Sequence, residues 1–279
     1  MSSLIHIFDD NKFYTRLILL ILIELGNFYL LESPLNIMIT AIEVVVVMSL
    51  MIRKDYPSAL IFHVIFCLTG CDATSASSDA QLFSYPEIKL IGPLTLSYIL
   101  LGMLWLANRK KTIQAPKDSL LWGVRKLMSF FLIYGTGIGV LGLLIFNYRL
   151  NDFITAFIYI FVGYLYVDIF SRNYDDNYLH KCKNAAMSLL LTAPIVSFIS
   201  YFLLNIRVSY SVFDALVFNE EFIMGAILIL ILFTDVKYKV AYMVSLTLYI
   251  VCLVIAGRGG FFLSLIPLSR IFNTSATRI

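Results

Sequence analysis

Long apolar segments separated by short polar loops recur along the whole chain. We place a helix at each of ten such segments, at residues 17–31, 35–52, 59–71, 90–107, 128–146, 153–170, 185–204, 222–233, 242–256 and 261–272. A helix needs about 20 apolar residues to cross a bilayer, and the third, eighth and tenth segments are shorter than this. The pattern therefore predicts an all-α fold, a polytopic transmembrane helical bundle of about ten spans.

The composition supports a membrane protein rather than a water-soluble one. Of the 279 residues, 60% are hydrophobic and 14% are charged, whereas soluble domains carry about 25% charged residues. Because the apolar segments cover the whole chain, we expect residues 1–279 to form a single integral membrane domain. The first 11 residues contain Asp9 and Asp10 and do not resemble a cleavable signal peptide.

Basic residues alternate between the two sides of the predicted bundle. Short loops rich in Lys and Arg stay on the cytoplasmic side, and this rule places both termini in the cytoplasm. The cytoplasmic segments include Arg16 at the amino end, Arg109, Lys110, Lys111, Lys117, Arg125 and Lys126 between the fourth and fifth spans, and Arg172 after the sixth. The outer loops keep few cations, namely Lys89, Arg149, Arg207 and Arg258. The net charge of +3 therefore directs insertion, and we expect no nucleic-acid partner.

Near the carboxyl end, a single arginine stands among glycines in the sequence Gly257-Arg258-Gly259-Gly260. A guanidinium grips a phosphate bidentately, and glycines allow the backbone to approach a ligand closely. An alternative is a membrane hairpin in which the glycines turn the chain and the arginine extends to the headgroups. The first interpretation makes Arg258, Gly259 and Gly260 a candidate anion-binding site.

Other polar residues within the spans have a structural and a functional interpretation. Glu24 and Glu43 either pair with polar neighbours, such as Asn27, Asn36 or a distant arginine, or couple the protein to protons. We favour pairing. His63 has no companion at metal-ligand spacing, so we expect a packed histidine and no metal site. Glycines 135–142 are interpreted as a helix-packing seam rather than a nucleotide-binding loop.

The sequence from Leu246 to Arg270, with Gly257-Arg258-Gly259-Gly260 between two apolar segments, resembles the Ser-Arg-Gly-(Gly/Ala) signature of the O-antigen ligase and polymerase superfamily. Arg258 matches the signature arginine, and Gly259 and Gly260 match the residues after it. Gly257 replaces the usual serine. The resemblance implies a multi-pass protein of the bacterial inner membrane that acts in surface polysaccharide and lipopolysaccharide biosynthesis.

The resemblance also implies a metal-independent glycosyltransferase without cofactors. Its substrate would be a glycan linked to undecaprenyl pyrophosphate, bound at the periplasmic face by Arg258, Gly259 and Gly260 next to membrane lipid. A pyrophosphate site needs two or more cations, and the outer-loop arginines Arg149 and Arg207 are the candidates to join Arg258. The family's large outer loop with a histidine base has no counterpart in this sequence. We therefore expect a short or truncated member, inactive if truncated, and we assign no catalytic residue. The alternative function is a transporter or flippase for an anionic or lipid-linked substrate.

Overall fold

The computed structural model describes residues 6–29, 35–69, 85, 88–91, 94–145, 149–199 and 247. Helices account for 83% of these residues, which confirms the all-α prediction. Two short 3₁₀ turns, His6–Phe8 and Asp10–Lys12, precede the first helix. The α-helices of the described part are α1 (Phe13–Tyr29), α2 (Asn36–Ile52), α3 (Tyr56–Thr69), α4 (Leu96–Asn108), α5 (Leu120–Ile145), α6 (Leu150–Arg172) and α7 (Asp176–Phe198).

These helices coincide with the first seven segments predicted from the sequence. The last three predicted segments, 222–233, 242–256 and 261–272, lie outside the described residues. Among the described helices, α5 has 26 residues and is the one long and apolar enough to cross a membrane. Helices α2, α3 and α4 are apolar but shorter, with 17, 14 and 13 residues.

The predicted fourth span is partly wrong, because its first residues form a small antiparallel hairpin. Strand β1 (Lys89–Ile91) pairs with β2 (Leu94–Thr95), and α4 follows directly. In the sequence, Gly92 and Pro93 lie between the strands, and the residue before a proline is disfavoured in the helical conformation. Thr95 then caps α4, since its hydroxyl accepts a hydrogen bond from the backbone N–H of Tyr98.

Polar side chains also begin the later helices. The Ser119 hydroxyl accepts from the N–H of Trp122 at the start of α5, and the Asp175 carboxylate accepts from that of Tyr178 at the start of α7. Each satisfies a backbone donor that has no partner within its own helix.

The described residues form two compact units. The first contains residues 6–29, 35–40, 65–69 and 181–199. Its apolar core is built by α1 and α7, where Phe13 and Leu17 pack against Leu191, with Ile21 and Ile195 at the edge. The two helices run in the same direction, because Asn184 bonds to the Phe8 carbonyl near their starts and Thr192 bonds to Glu24 farther along.

The second unit contains residues 41–64, 85, 88–91, 94–145 and 149–180. Helices α5 and α6 pack antiparallel along the glycine seam. A Cβ atom at Gly139 would overlap the ring of Phe153, and one at Gly135 would lie 3.6 Å from Ile160. Glycine at these positions therefore lets the two helices approach closely, as the sequence pattern predicted.

Candidate functional site

Of the five residues of the predicted outer site, the structure describes one, Arg149. Arg149 is exposed and stands immediately before α6 as its N-cap residue, and its side chain makes no cap hydrogen bond. Arg207, Arg258, Gly259 and Gly260 lie outside the described residues. Whether the three arginines converge therefore stays a prediction, and Arg149 is available to a ligand at the start of α6.

The strongest charged cluster of the described chain surrounds Asp168, near the other end of α6. Its carboxylate is fully buried and accepts hydrogen bonds from three side chains. Arg125 Nε donates at 2.8 Å, Arg172 Nε at 2.7 Å and Trp105 Nε1 at 2.9 Å. One anion therefore joins α4, α5 and α6.

The loop after α4 is fixed to the same end of α6. The Arg172 guanidinium also donates to the carbonyls of Arg109 and Lys111, while Lys111 Nζ donates to Asn173 Oδ1 at 3.0 Å. The backbone N–H groups of Gln114 and Ala115 both donate to the Ser171 carbonyl. Since the carboxylate is enclosed by donors of its own chain, this cluster acts as a structural connection and not as a catalytic acid or base.

Sequence reasoning did not single out Asp168. The signal was present, because Asp168 and Arg172 are four residues apart and a helix brings such positions together on one face. Arg125 and Trp105 are distant in sequence, so no local pattern indicates them.

A second polar region follows the contact between α1 and α7. Arg16, which the sequence analysis placed among the cytoplasmic cations, is 2% exposed. Its Nε donates to Ser188 Oγ at 2.6 Å and its Nη1 to the Ile7 carbonyl at 2.8 Å. Ser188 in turn donates to the Asn184 carbonyl one turn earlier. Nε and Nη1 of the buried guanidinium thus donate to neutral oxygens.

Farther along this contact, Glu24 is fully buried on α1. Its Oε1 lies 2.8 Å from the Thr192 hydroxyl, which is also 3.1 Å from the Leu189 carbonyl. Its Oε2 has no hydrogen-bond partner, and neither amide atom of the fully buried Asn36 has one. The pairing of Glu24 with Asn36 that the sequence suggested is therefore not observed.

His63 is buried in the second unit and bonded to an aromatic residue. Its Nδ1 lies 2.8 Å from the hydroxyl of Tyr85, which is itself fully buried, and the Tyr166 ring is 5.7 Å away. This arrangement is that of a packed histidine. In the described part of the chain, no three His, Cys, Asp or Glu side chains are grouped as a metal site requires.

No protein-family model matches this chain, and no curated protein or solved structure shows detectable similarity to it. The resemblance to the O-antigen ligase and polymerase superfamily thus stays a prediction that depends on the glycine-flanked Arg258.

Proposed function

We propose that this chain is a multi-pass protein of the bacterial inner membrane, with about ten spans and both termini in the cytoplasm. At the periplasmic face it binds a glycan linked to undecaprenyl pyrophosphate. Its chemistry would be that of an O-antigen polymerase or ligase, a glycosyl transfer that uses neither a metal nor a cofactor.

The observation that carries the membrane assignment is the inverted placement of apolar and polar side chains. Helix α5 exposes large apolar residues along its length, with Ile133 and Leu144 each 76% exposed. Glu24 and Asp168 are completely buried. In water-soluble proteins, a charged group is almost never fully buried unless it is paired, and large apolar side chains lie mostly inside. Asp168 is paired with two arginines, so Glu24 is the buried group that supports a membrane environment. In a bilayer, the same arrangement places hydrocarbon against lipid and polar groups against one another.

Helix directions within each unit agree with this topology. If the chain crosses the membrane at every span, all odd-numbered spans run in one direction and all even-numbered spans run in the other. Helices α1 and α7 are parallel, as first and seventh spans must be. Helices α4 and α6 are parallel as well, since Trp105 and Lys111 meet Asp168 and Asn173 in the same order. Helices α5 and α6 are antiparallel.

The two ends of α6 differ in how many cations surround them, as the proposed topology requires. Arg172 lies at one end, together with the cations of the α4–α5 loop that the positive-inside rule assigns to the cytoplasm. Arg149 lies at the other end. With 23 residues and a rise of 1.5 Å per residue, the helix is about 34 Å long, enough for a hydrocarbon core of about 30 Å. This length supports placing Arg149 at the periplasmic face.

The proposed ligand is the pyrophosphate of the lipid carrier. Phosphate oxygens accept paired hydrogen bonds from guanidinium groups, and the outer loops offer Arg149, Arg207 and Arg258 for this role. Gly259 and Gly260 leave room for the backbone N–H groups to approach the same oxygens. Membrane lipid surrounds the polyprenyl chain, so the carrier reaches the arginines without leaving the bilayer.

Substitution of Arg258 tests this proposal. We expect Arg258→Lys to lose most of the binding that Arg258→Ala loses, because lysine keeps the charge without the planar fork. Binding of undecaprenyl pyrophosphate to the purified chain in nanodiscs measures the effect, which should be roughly tenfold or more, as for 1.4 kcal/mol.

Arg109→Lys and Arg109→Ala are the matched controls, because Arg109 is an exposed arginine of the predicted cytoplasmic loop. Both should bind like the unaltered chain. Equal binding by the Arg258 and Arg109 variants would contradict the site.

A transporter or flippase is the second candidate, and the buried Glu24 favours it. A carboxylate inside the bundle is a common device for coupling protons or ions to movement of a substrate. Liposomes containing the chain distinguish the two functions. A flippase moves a labelled lipid-linked glycan between leaflets without lengthening it, whereas a polymerase lengthens it at one face.

A further inference from the structure

We infer that Glu24 is the charged ligand of an exchangeable monovalent-cation site, in which a proton or Na⁺ is held between α1, α3 and α7. The inference uses the first unit alone and needs no glycan substrate. Variants of Glu24 and variants of Arg258 therefore test separate claims, and either can fail without the other.

Among the described residues, no cation of the chain lies beside the Glu24 carboxylate. On α1, the nearest charged side chain is Arg16, eight residues earlier and thus about 12 Å along the helix. Its Nε and Nη1 are bonded to Ser188 and to backbone carbonyls.

The other elements of the unit that the structure describes supply no nearer charge. Helix α7 contributes Lys181 and Lys183, the latter nine residues before Thr192 and thus about 14 Å away along the axis. Lys181 lies 3.9 Å from Asp9, near the start of α1. Residues 36–40 of α2 and 65–69 of α3 contain no charged side chain. His6, Asp9, Asp10 and Lys12 all precede α1.

Two oxygen atoms without partners lie along the same face of α1. Glu24 Oε2 and Thr69 Oγ1 are both buried without a hydrogen bond. Asn27, three residues after Glu24 and thus on the same face of the helix, donates to the Thr69 carbonyl, so the end of α3 lies beside this turn.

Buried polar atoms without partners are rare, and two in one place indicate a missing ligand. A carboxylate and hydroxyls are hard oxygen donors, which suit a hydrated or partly dehydrated alkali cation. A proton on the carboxyl neutralises the same charge and gives it a donor for a neighbouring oxygen. Both ligands share one chemistry, the neutralisation of a single buried carboxylate.

The Thr192 hydroxyl can bond to the Glu24 carboxyl in both of its charge states. The hydroxyl has one hydrogen and faces two acceptors, Glu24 Oε1 at 2.8 Å and the Leu189 carbonyl at 3.1 Å. When the carboxyl is protonated, it donates to Thr192, and the hydroxyl turns to Leu189. When the carboxylate is ionised or holds Na⁺, the hydroxyl donates to it instead. The hydroxyl thus fits both states without moving a heavy atom.

Dicyclohexylcarbodiimide tests the inference, because it adds covalently to protonated carboxyl groups in apolar surroundings. The full chain, purified in detergent, is treated with the reagent and the modified glutamate is identified by mass spectrometry. We expect modification at Glu24. It should fall as the pH rises, by roughly tenfold per unit above the point of deprotonation, or fall when NaCl replaces choline chloride at constant ionic strength.

Loss of labelling with pH alone identifies the ligand as a proton, and protection by Na⁺ identifies it as the metal ion. Both results support the site. Modification of Glu24 that responds to neither treatment would make it a permanently neutral structural donor and would overturn the inference. Absence of modification at Glu24 while the also buried Glu43 reacts would overturn it as well.

Three variants complete the test. Glu24→Gln should abolish the modification at this position, while Glu43→Gln should leave it unchanged. Thr192→Val keeps the shape but removes the hydroxyl, so it should shift the pH or Na⁺ concentration at half-protection, and Thr192→Ser should restore it. If Thr192→Val behaved like the unaltered chain, the participation of α7 in the site would be refuted. Size-exclusion profiles establish that each variant is folded.

Discussion

Replacing Asp168 by asparagine removes the charge that joins α4, α5 and α6 while leaving the side-chain volume nearly unchanged. In the native chain, the carboxylate accepts from Arg125, Arg172 and Trp105, and it is fully buried. The amide of Asp168→Asn has one acceptor oxygen, and its NH₂ group would point a donor at another donor. Two guanidinium groups would then share a buried site without an anion.

The cost follows from the burial of the partners. Breaking a buried ion pair by removing one member costs about 3–5 kcal/mol. Because the Arg125 and Arg172 side chains are 17% and 16% exposed, water reaches them in part, and we take the lower limit of about 3 kcal/mol. For a chain of this size, a melting temperature falls roughly 2–4 °C per kcal/mol, which gives a decrease of roughly 6–12 °C.

Tryptophan fluorescence during thermal unfolding in detergent measures this change. The chain has two tryptophans. Trp105 bonds to Asp168, and Trp122 lies under Arg125 and Lys126 at 5.7 and 5.9 Å. The signal therefore reports on the cluster itself. Asp118→Asn is the matched control, since Asp118 is exposed in the loop before α5. Equal melting temperatures for the two variants would refute the role assigned to Asp168.

Two further predictions concern packing, and both use the same unfolding assay. Gly139→Ala should destabilise the chain by about 1–3 kcal/mol, because the new methyl overlaps the Phe153 ring in a packed contact. Gly137→Ala, which meets nothing within 4 Å, should be neutral or slightly stabilising through helix propensity, and equal effects would exclude the seam. Tyr85→Phe should cost about 1–2 kcal/mol by removing the hydroxyl bonded to His63. Tyr159→Phe, at a 66% exposed residue, should cost nothing measurable, and a Tyr85→Phe variant as stable as this control would show that the bond is unimportant.

Apolar segments predicted the described helices well, but their ends depended on polar contacts. The fifth segment was predicted to start at residue 128, after Arg125 and Lys126, which were assigned to the cytoplasmic loop. Helix α5 starts eight residues earlier, at Leu120. Both cations lie over Trp122, and Arg125 also pairs with Asp168, so their charge does not end the helix.

Long-range pairings explain what the sequence could not predict of the buried polar sites. The partner of Glu24 is Thr192, 168 residues away in sequence, and Arg16 meets Ser188 at a similar separation. A threonine and a serine within an apolar segment carry no signal of such a role. The glycine seam was predictable because its glycines are closely spaced within one helix. The Asp168–Arg172 pair could have been predicted for the same reason.

The proposed topology crosses the membrane repeatedly and places Arg258 at the outer face. Cysteine accessibility distinguishes the two faces, in a variant whose four native cysteines are replaced by serine. A membrane-impermeant maleimide is added to intact cells that express either Arg258→Cys or Lys117→Cys. We predict labelling of Arg258→Cys in intact cells and labelling of Lys117→Cys only after the membrane is permeabilised. Labelling of Lys117→Cys in intact cells, with Arg258→Cys protected until permeabilisation, would contradict the proposed topology.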